Sequence, residues 1–199
     1  MDVNFFKTEF KNNGGILKTA QLAALKADYR SIQKLITMGI IEKIRNGYYK
    51  LIEDENEISE AALISKMFPD GVLCMYTALF YYGYSDRTPL NWDIAINKDT
   101  SKARFNLDYP FIKPYYMEPD LLAVGISIAK FEDSSFKIFD RDRLICEILK
   151  YEAGIDRETF NKAIQAYVND PKKNITKLIE YAKMRKVTKK VKDIIGVWL

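Results

Sequence analysis

Residues 14–52 read GGILKTAQLAALKADYRSIQKLITMGIIEKIRNGYYKLI. The first half, up to Gly39, carries the marks of two short helices with a tight turn between them. Thr19 can cap the first, because its hydroxyl can accept from an orphan N–H of the first turn. Leu22 and Leu25 then fall three apart on one face. Lys26 and Ala27 make a short break, and Asp28 can cap a second helix. On that helix Tyr29, Ile32, Leu35 and Ile36 follow helical spacing and define a core stripe. Gly39 supplies the stop. The opposite face shows Arg30, Ser31, Gln33, Lys34 and Thr37. These residue types reach base edges and phosphates, although an ordinary solvated face has the same composition.

The second half favours the first of those two readings. Ile40-Ile41-Glu42-Lys43-Ile44 has the β-branched content of a strand. Asn46-Gly47 is a strong hairpin signal, since both residues tolerate positive φ, and Tyr48-Tyr49-Lys50-Leu51 returns. The tip then carries Arg45 and Asn46, flanked by Lys43 and Lys50. Helix, turn, helix and ribbon is the order of a winged helix-turn-helix, which lays one helix in the DNA major groove. The expected contacts are Thr19, Arg30, Ser31, Gln33, Lys34 and Thr37 from the helices, and Lys43, Arg45, Asn46 and Lys50 from the wing. A ribbon packed on protein is the alternative use of that tip.

Charge divides the rest of the chain. Residues 1–52 hold nine Lys/Arg against four Asp/Glu, so +5, and residues 53–171 hold thirteen against twenty-one, so −8. Residues 172–199 hold nine against two, so +7. A basic first region suits a polyanion and the acidic middle does not. The expected organisation is a winged helix-turn-helix domain over 1–52, a connector over 53–57, and an α+β domain over 58–199. No apolar run approaches the ~18–20 residues that span a bilayer. The start, Met1-Asp2-Val3-Asn4, lacks the basic and apolar parts of a signal peptide. The expectation is a cytoplasmic protein with no membrane partner. Cys74 and Cys146 have no metal-ligand spacing and read as small core residues.

Along the chain, 2–13 reads as an opening helix with Phe6 and Phe10 on its covered face. Residues 58–68 and Val72–Tyr82 read as helices. Strands are expected at Trp92–Asn97, at 110–117, within 121–130 with a bend at Gly125, and at Phe136–Phe139. Asp140 reads as the N-cap of a helix over 144–151, with Asp142 in its first turn. Helices over 156–168, 174–183 and 186–198 complete an α+β layout with a small mixed sheet and a helical C-terminus. Lys183, Arg185, Lys186, Lys189, Lys190 and Lys192 form a basic surface there, suited to RNA, an acidic protein face or flanking DNA. Val187, Val191, Ile194, Ile195 and Trp198 keep an apolar face.

The sequence carries no catalytic signature. The chain has no histidine, which removes His-based triads and the commonest general base. There is no P-loop, dinucleotide fingerprint, nucleophile elbow, CxxC pair or HExxH. Asp140, Arg141, Asp142 and Arg143 are a dense charged cluster that helix capping and ion pairing explain. The expectation is a non-enzyme without cofactor or metal.

The whole chain resembles one known family. Gly15 to Leu22, and Leu35 to Tyr49, resemble the N-terminal winged helix of the AbiEi antitoxins of the AbiE abortive-infection systems. Cys74 to Asp86 is similar to that family's Thr-Ala-Leu helix, and Ile138 to Glu147 to its arginine-bearing strand-to-helix segment. Here Arg143-Leu144 stands where the family usually has Arg-Thr, and Glu147 where it has Asp. The resemblance implies an autorepressor that binds inverted repeats in its own promoter. It further implies a type IV antitoxin whose C-terminal domain counters a nucleotidyltransferase-like toxin, with or without a stable complex. The alternative is a ligand-responsive winged-helix transcriptional regulator, with the aromatic middle region as its pocket.

Overall fold

The structure is a computed structural model that describes residues 2–52 and 58–196. The connector 53–57, and Trp198 of the expected last apolar face, lie outside the described residues. Two compact units emerge. The first runs to Pro69 and takes in Asn106–Pro110 and Glu132–Ser134, and the second comprises the remainder. Among the described residues they give a mixed α+β fold with two sheets, one of three strands and one of five.

The first unit begins with α1 (Val3–Asn12), capped by the Asp2 carboxylate, which accepts from the N–H groups of Asn4 and Phe5. Then come β1 (Ile16–Lys18), α2 (Thr19–Ala24), α3 (Tyr29–Thr37), β2 (Ile41–Arg45), β3 (Tyr48–Leu51) and α4 (Glu60–Met67). The sheet order is β1-β3-β2, both pairings antiparallel. Strand β1 was not expected. It is three residues long and pairs Ile16, Leu17 and Lys18 with Lys50, Tyr49 and Tyr48. Phe6, Phe10, Leu17, Leu22, Ala27, Ile32, Leu35, Ile41, Tyr49 and Leu51 close one core. Helix α4 clusters with this unit.

Helices α1, α2 and α3 stop in the same way. In each, a residue at positive φ follows the last turn: Gly14, Lys26 and Gly39. The next N–H bonds back to the carbonyl five residues earlier: Gly15 to Phe10, Ala27 to Leu22, Ile40 to Leu35. This is the Schellman arrangement, which satisfies carbonyls that the helix end leaves open. Lys26 does it at φ 60° without the steric freedom of glycine. Two expectations are corrected. Thr19 is the first helical residue of α2, and Lys18 occupies the cap position, its N–H donating to Gln21 Oε1 at 2.9 Å. Tyr29 is not in the core stripe but 75% exposed. It is the first residue of α3, one turn before Ile32, and Ala27 fills the core at that end.

The second unit contains β4 (Val72–Leu73), α5 (Met75–Tyr81), β5 (Trp92–Asn97), β6 (Ile112–Met117), α6 (Pro119–Leu122), β7 (Ile126–Phe131) and β8 (Ser134–Phe139). Helices α7 (Arg141–Lys150), α8 (Arg157–Asn169) and α9 (Ile175–Arg185) follow. The chain then makes α10 (Thr188–Lys190) and a π-helical turn, Val191–Ile195. The strand order is β6-β5-β4-β8-β7, with β4 parallel to β8, β5 parallel to β6, and β4 antiparallel to β5. The continuous helix expected over Val72–Tyr82 is corrected: Val72 and Leu73 are the buried central strand, and Cys74 is extended before α5 begins. Likewise 121–130 is one helical turn followed by β7, with Gly125 between them. A Cβ on Gly125 would stand 2.7 Å from the Arg143 Cβ, so α7 packs against bare backbone there.

Helix α7 is the axis of this unit, buried without interruption from Asp142 to Leu149. Asp140 caps it, accepting the Arg143 N–H at 2.8 Å. Three of its buried residues are charged. Glu147 accepts from Arg143 Nε at 2.7 Å, and from Arg185 Nε and Nη2 at 2.6 and 2.7 Å. Asp142 accepts from the Tyr167 hydroxyl and the Asn174 N–H, both at 2.8 Å. The charged cluster read at 140–143 therefore caps a helix and joins the core.

Candidate nucleic-acid interface

The helix α3 is set by its ends. The Asp28 carboxylate accepts the Ser31 N–H at 2.8 Å, and hydrogen bonding from Ser31 holds its carboxyl below the ordinary range. The Schellman turn at Gly39 closes the other end. Between them Ile32 and Leu35 are buried, while Arg30, Gln33, Lys34 and Thr37 are exposed and Ser31 is half-buried. The exposed Tyr29 joins that polar face. Sequence reasoning missed it because helical spacing alone placed it with Ile32.

The ribbon has a two-residue turn at Asn46-Gly47, with Gly47 at φ 85°. Its carbonyl accepts the Thr19 N–H at 3.0 Å, which ties the tip to the start of α2. Thr19 and Lys18 are exposed beside it. Lys43 and Asn46 are exposed as well. The other two ribbon residues have partners in the protein. Lys50 forms an ion pair with Glu42, its partner across β2 and β3. Arg45 does not point out from the tip: its guanidinium carbon lies 4.1 Å from the centre of the Tyr48 ring and 5.7 Å from that of Phe68. A bulge between Lys43 and Arg45 changes the register just before the turn and accompanies this placement.

The basic residues near the C-terminus separate in the same manner. Lys183, Lys186, Lys189 and Lys192 are exposed. Arg185 is corrected from surface to core, where it bonds to Glu147. Lys190 is half-buried and donates to the Leu149 carbonyl at 2.8 Å and to Glu152 at 2.7 Å. Both thiols are buried and free, and burial pushes the Cys146 thiol up to about 12. Among the described residues, no group of three or more Cys, Asp or Glu side chains is placed to hold a metal ion. No helix among them is long and apolar enough to cross a membrane.

No family model matches the chain, and neither does any curated protein sequence.

Proposed function

We propose that residues 2–52 form a winged helix-turn-helix that binds double-stranded promoter DNA, and that the chain is an autorepressor and antitoxin of the AbiEi kind. The observation that carries the DNA reading is the two-sidedness of α3. Its inner side is sealed by Ile32 and Leu35, while Tyr29, Arg30, Gln33, Lys34 and Thr37 stand in solvent. A capped helix held rigid by a core, offering a long face of donors and acceptors, meets the needs of major-groove readout. The β2–β3 ribbon supplies Lys43 and Asn46 for the sugar-phosphate backbone, and the start of α2 adds Lys18 and Thr19. The counter-toxin role belongs to the second unit and rests on the resemblance of Cys74–Asp86 and Ile138–Glu147. Its exposed Lys183, Lys186, Lys189 and Lys192 suit an acidic protein face or RNA. The chain acts in the cytoplasm in this reading, without enzymatic activity.

The test pairs two assays: a reporter driven by the chain's own upstream region, and growth rescue against a nucleotidyltransferase-like toxin encoded alongside. Full-length protein should repress the reporter and restore growth. Repression without rescue would instead favour a ligand-responsive regulator, a reading that a cavity in the second unit also supports.

A further inference from the structure

The second unit carries an open-mouthed pocket of about 220 Å³. It is walled by the 87–91 loop, by Tyr76 of α5, and by Asp156 and Thr159 at the start of α8. The sheet contributes two charges, Asp93 from β5 and Lys113 from β6. These residues are register partners on parallel strands. Their side chains therefore leave the same face of the sheet, from strands about 4.8 Å apart.

The two charges do not close on each other. Among the described residues no ion pair within 4.0 Å joins them. The Lys113 ammonium lies 5.5 Å from the Tyr115 ring centre, and Asp93 Oδ2 accepts the Tyr76 N–H at 2.8 Å. Asp93 is 2% exposed, so an acid sits at the floor and an amine nearer the mouth. The other charged groups of the wall are engaged: Arg87 pairs with Asp156 and Glu158, and Asp156 also caps α8 through the Thr159 N–H. Burial pushes the Asp93 carboxyl up to about 6, and the nearby Lys113 charge and the Tyr76 and Thr77 N–H groups offset that only in part. A ligand that brings a cation into direct contact with the carboxylate would recover part of the remaining cost.

We propose that this cavity binds a small zwitterion of the size of a free α-amino acid, its ammonium group on Asp93 and its carboxylate at Lys113. A simple cation would meet Lys113 and Arg87, and a simple anion would meet Asp93. Only a molecule carrying both signs a few bonds apart complements the wall. Tyr76, Pro89 and Leu90 supply apolar surface for its side chain, and Thr88, Asn91 and Thr159 supply polar contacts.

Titration calorimetry on the full chain at pH 7.5 with each of the twenty standard amino acids tests this. At least one should bind with a Kd of about 1 mM or tighter. Its N-acetyl form lacks the ammonium and its amide lacks the carboxylate, so both should bind at least tenfold more weakly. Asp93→Asn and Lys113→Met should each cost at least tenfold. Lys113 is exposed, so its variant keeps the fold even if Asp93→Asn does not, and circular dichroism checks both. The proposal is overturned if no amino acid binds. It is equally overturned if binding survives Lys113→Met, or survives blocking of either charged group.

Discussion

Arg45 lies on the Tyr48 ring, its guanidinium carbon 4.1 Å from the ring centre, with Phe68 beyond it. An arginine so placed is attracted by the ring quadrupole and buries its stem. It stabilises the ribbon through that packing. Arg45→Ala should therefore lower stability by about 1 kcal/mol, measured by urea unfolding. The slope of log affinity against log salt should stay unchanged. Lys43→Ala should behave in the opposite way, with stability unchanged and the slope flattened by about 0.9 for one lost phosphate contact. If Arg45→Ala flattens the slope and leaves the unfolding midpoint alone, the arginine reaches DNA after all.

Lys26 and Gly39 end successive helices with the same backbone hydrogen bonds, but only one is glycine. A residue with a Cβ meets a steric penalty in the left-handed region. Lys26→Gly should stabilise the chain by up to about 1 kcal/mol, and Gly39→Ala should destabilise it by a similar amount. Thermal unfolding of both variants checks the pair. A destabilising Lys26→Gly would show that the lysine side chain makes a contact worth more than the strain.

Glu147 sits between Arg143 and Arg185 in the core of the second unit. Removing one partner of a buried pair strands a charge, at about 3–5 kcal/mol. Glu147→Met should be the worse of the two single changes, because it strands two guanidinium groups. Arg185→Met leaves the Arg143–Glu147 pair in place and should cost less. The double variant Glu147→Met, Arg185→Met should be less harmful than the sum of its parts. Denaturant titration gives all three values, and simple additivity would mean that the groups are not coupled.

Asp93 gives a pH signature. Its folded carboxyl titrates at about 6 against 3.8 unfolded, because burial disfavours the charged form. Between those values the native state holds a proton that the unfolded state has released. Stability therefore falls as pH rises through that window, and the loss levels off by about pH 7. The full loss amounts to about 3 kcal/mol. Asp93→Asn keeps an acceptor for the Tyr76 N–H and cannot ionise. Its stability relative to wild type should therefore rise between about pH 4 and about pH 7 and then level off. A difference that stays flat across that range would mean that Asp93 titrates like an ordinary carboxyl.

The parts of this molecule that were legible in sequence are those with local causes. The turn at Asn46-Gly47 and the caps at Asp28 and Asp140 follow from what single side chains do to the nearby backbone. Strands β1 and β4 escaped notice because they are three and two residues long and run directly into helices, so no alternation has room to develop. The pairing of β4 with β8 joins Leu73 to Ile138, and nothing in either segment announces the other. Tyr29 and Arg185 were misplaced for related reasons. Tyr29 satisfies the helical period but lies past the end of the core, and Arg185 looks like its lysine neighbours until Glu147 is brought beside it. The Asp93–Lys113 cavity was invisible, since the register of two parallel strands creates it.

The central claim is that α3 reads DNA sequence. It is tested most directly by fluorescence anisotropy of wild type, Arg30→Ala and Gln33→Ala on the native promoter duplex and on a scrambled duplex of equal length and salt. The wild type should prefer the promoter. Each variant should lose roughly 1–3 kcal/mol on the promoter and much less on the scrambled duplex, with base preference relaxed at the position it read. Equal losses on both duplexes, or no promoter preference in the wild type, would contradict it.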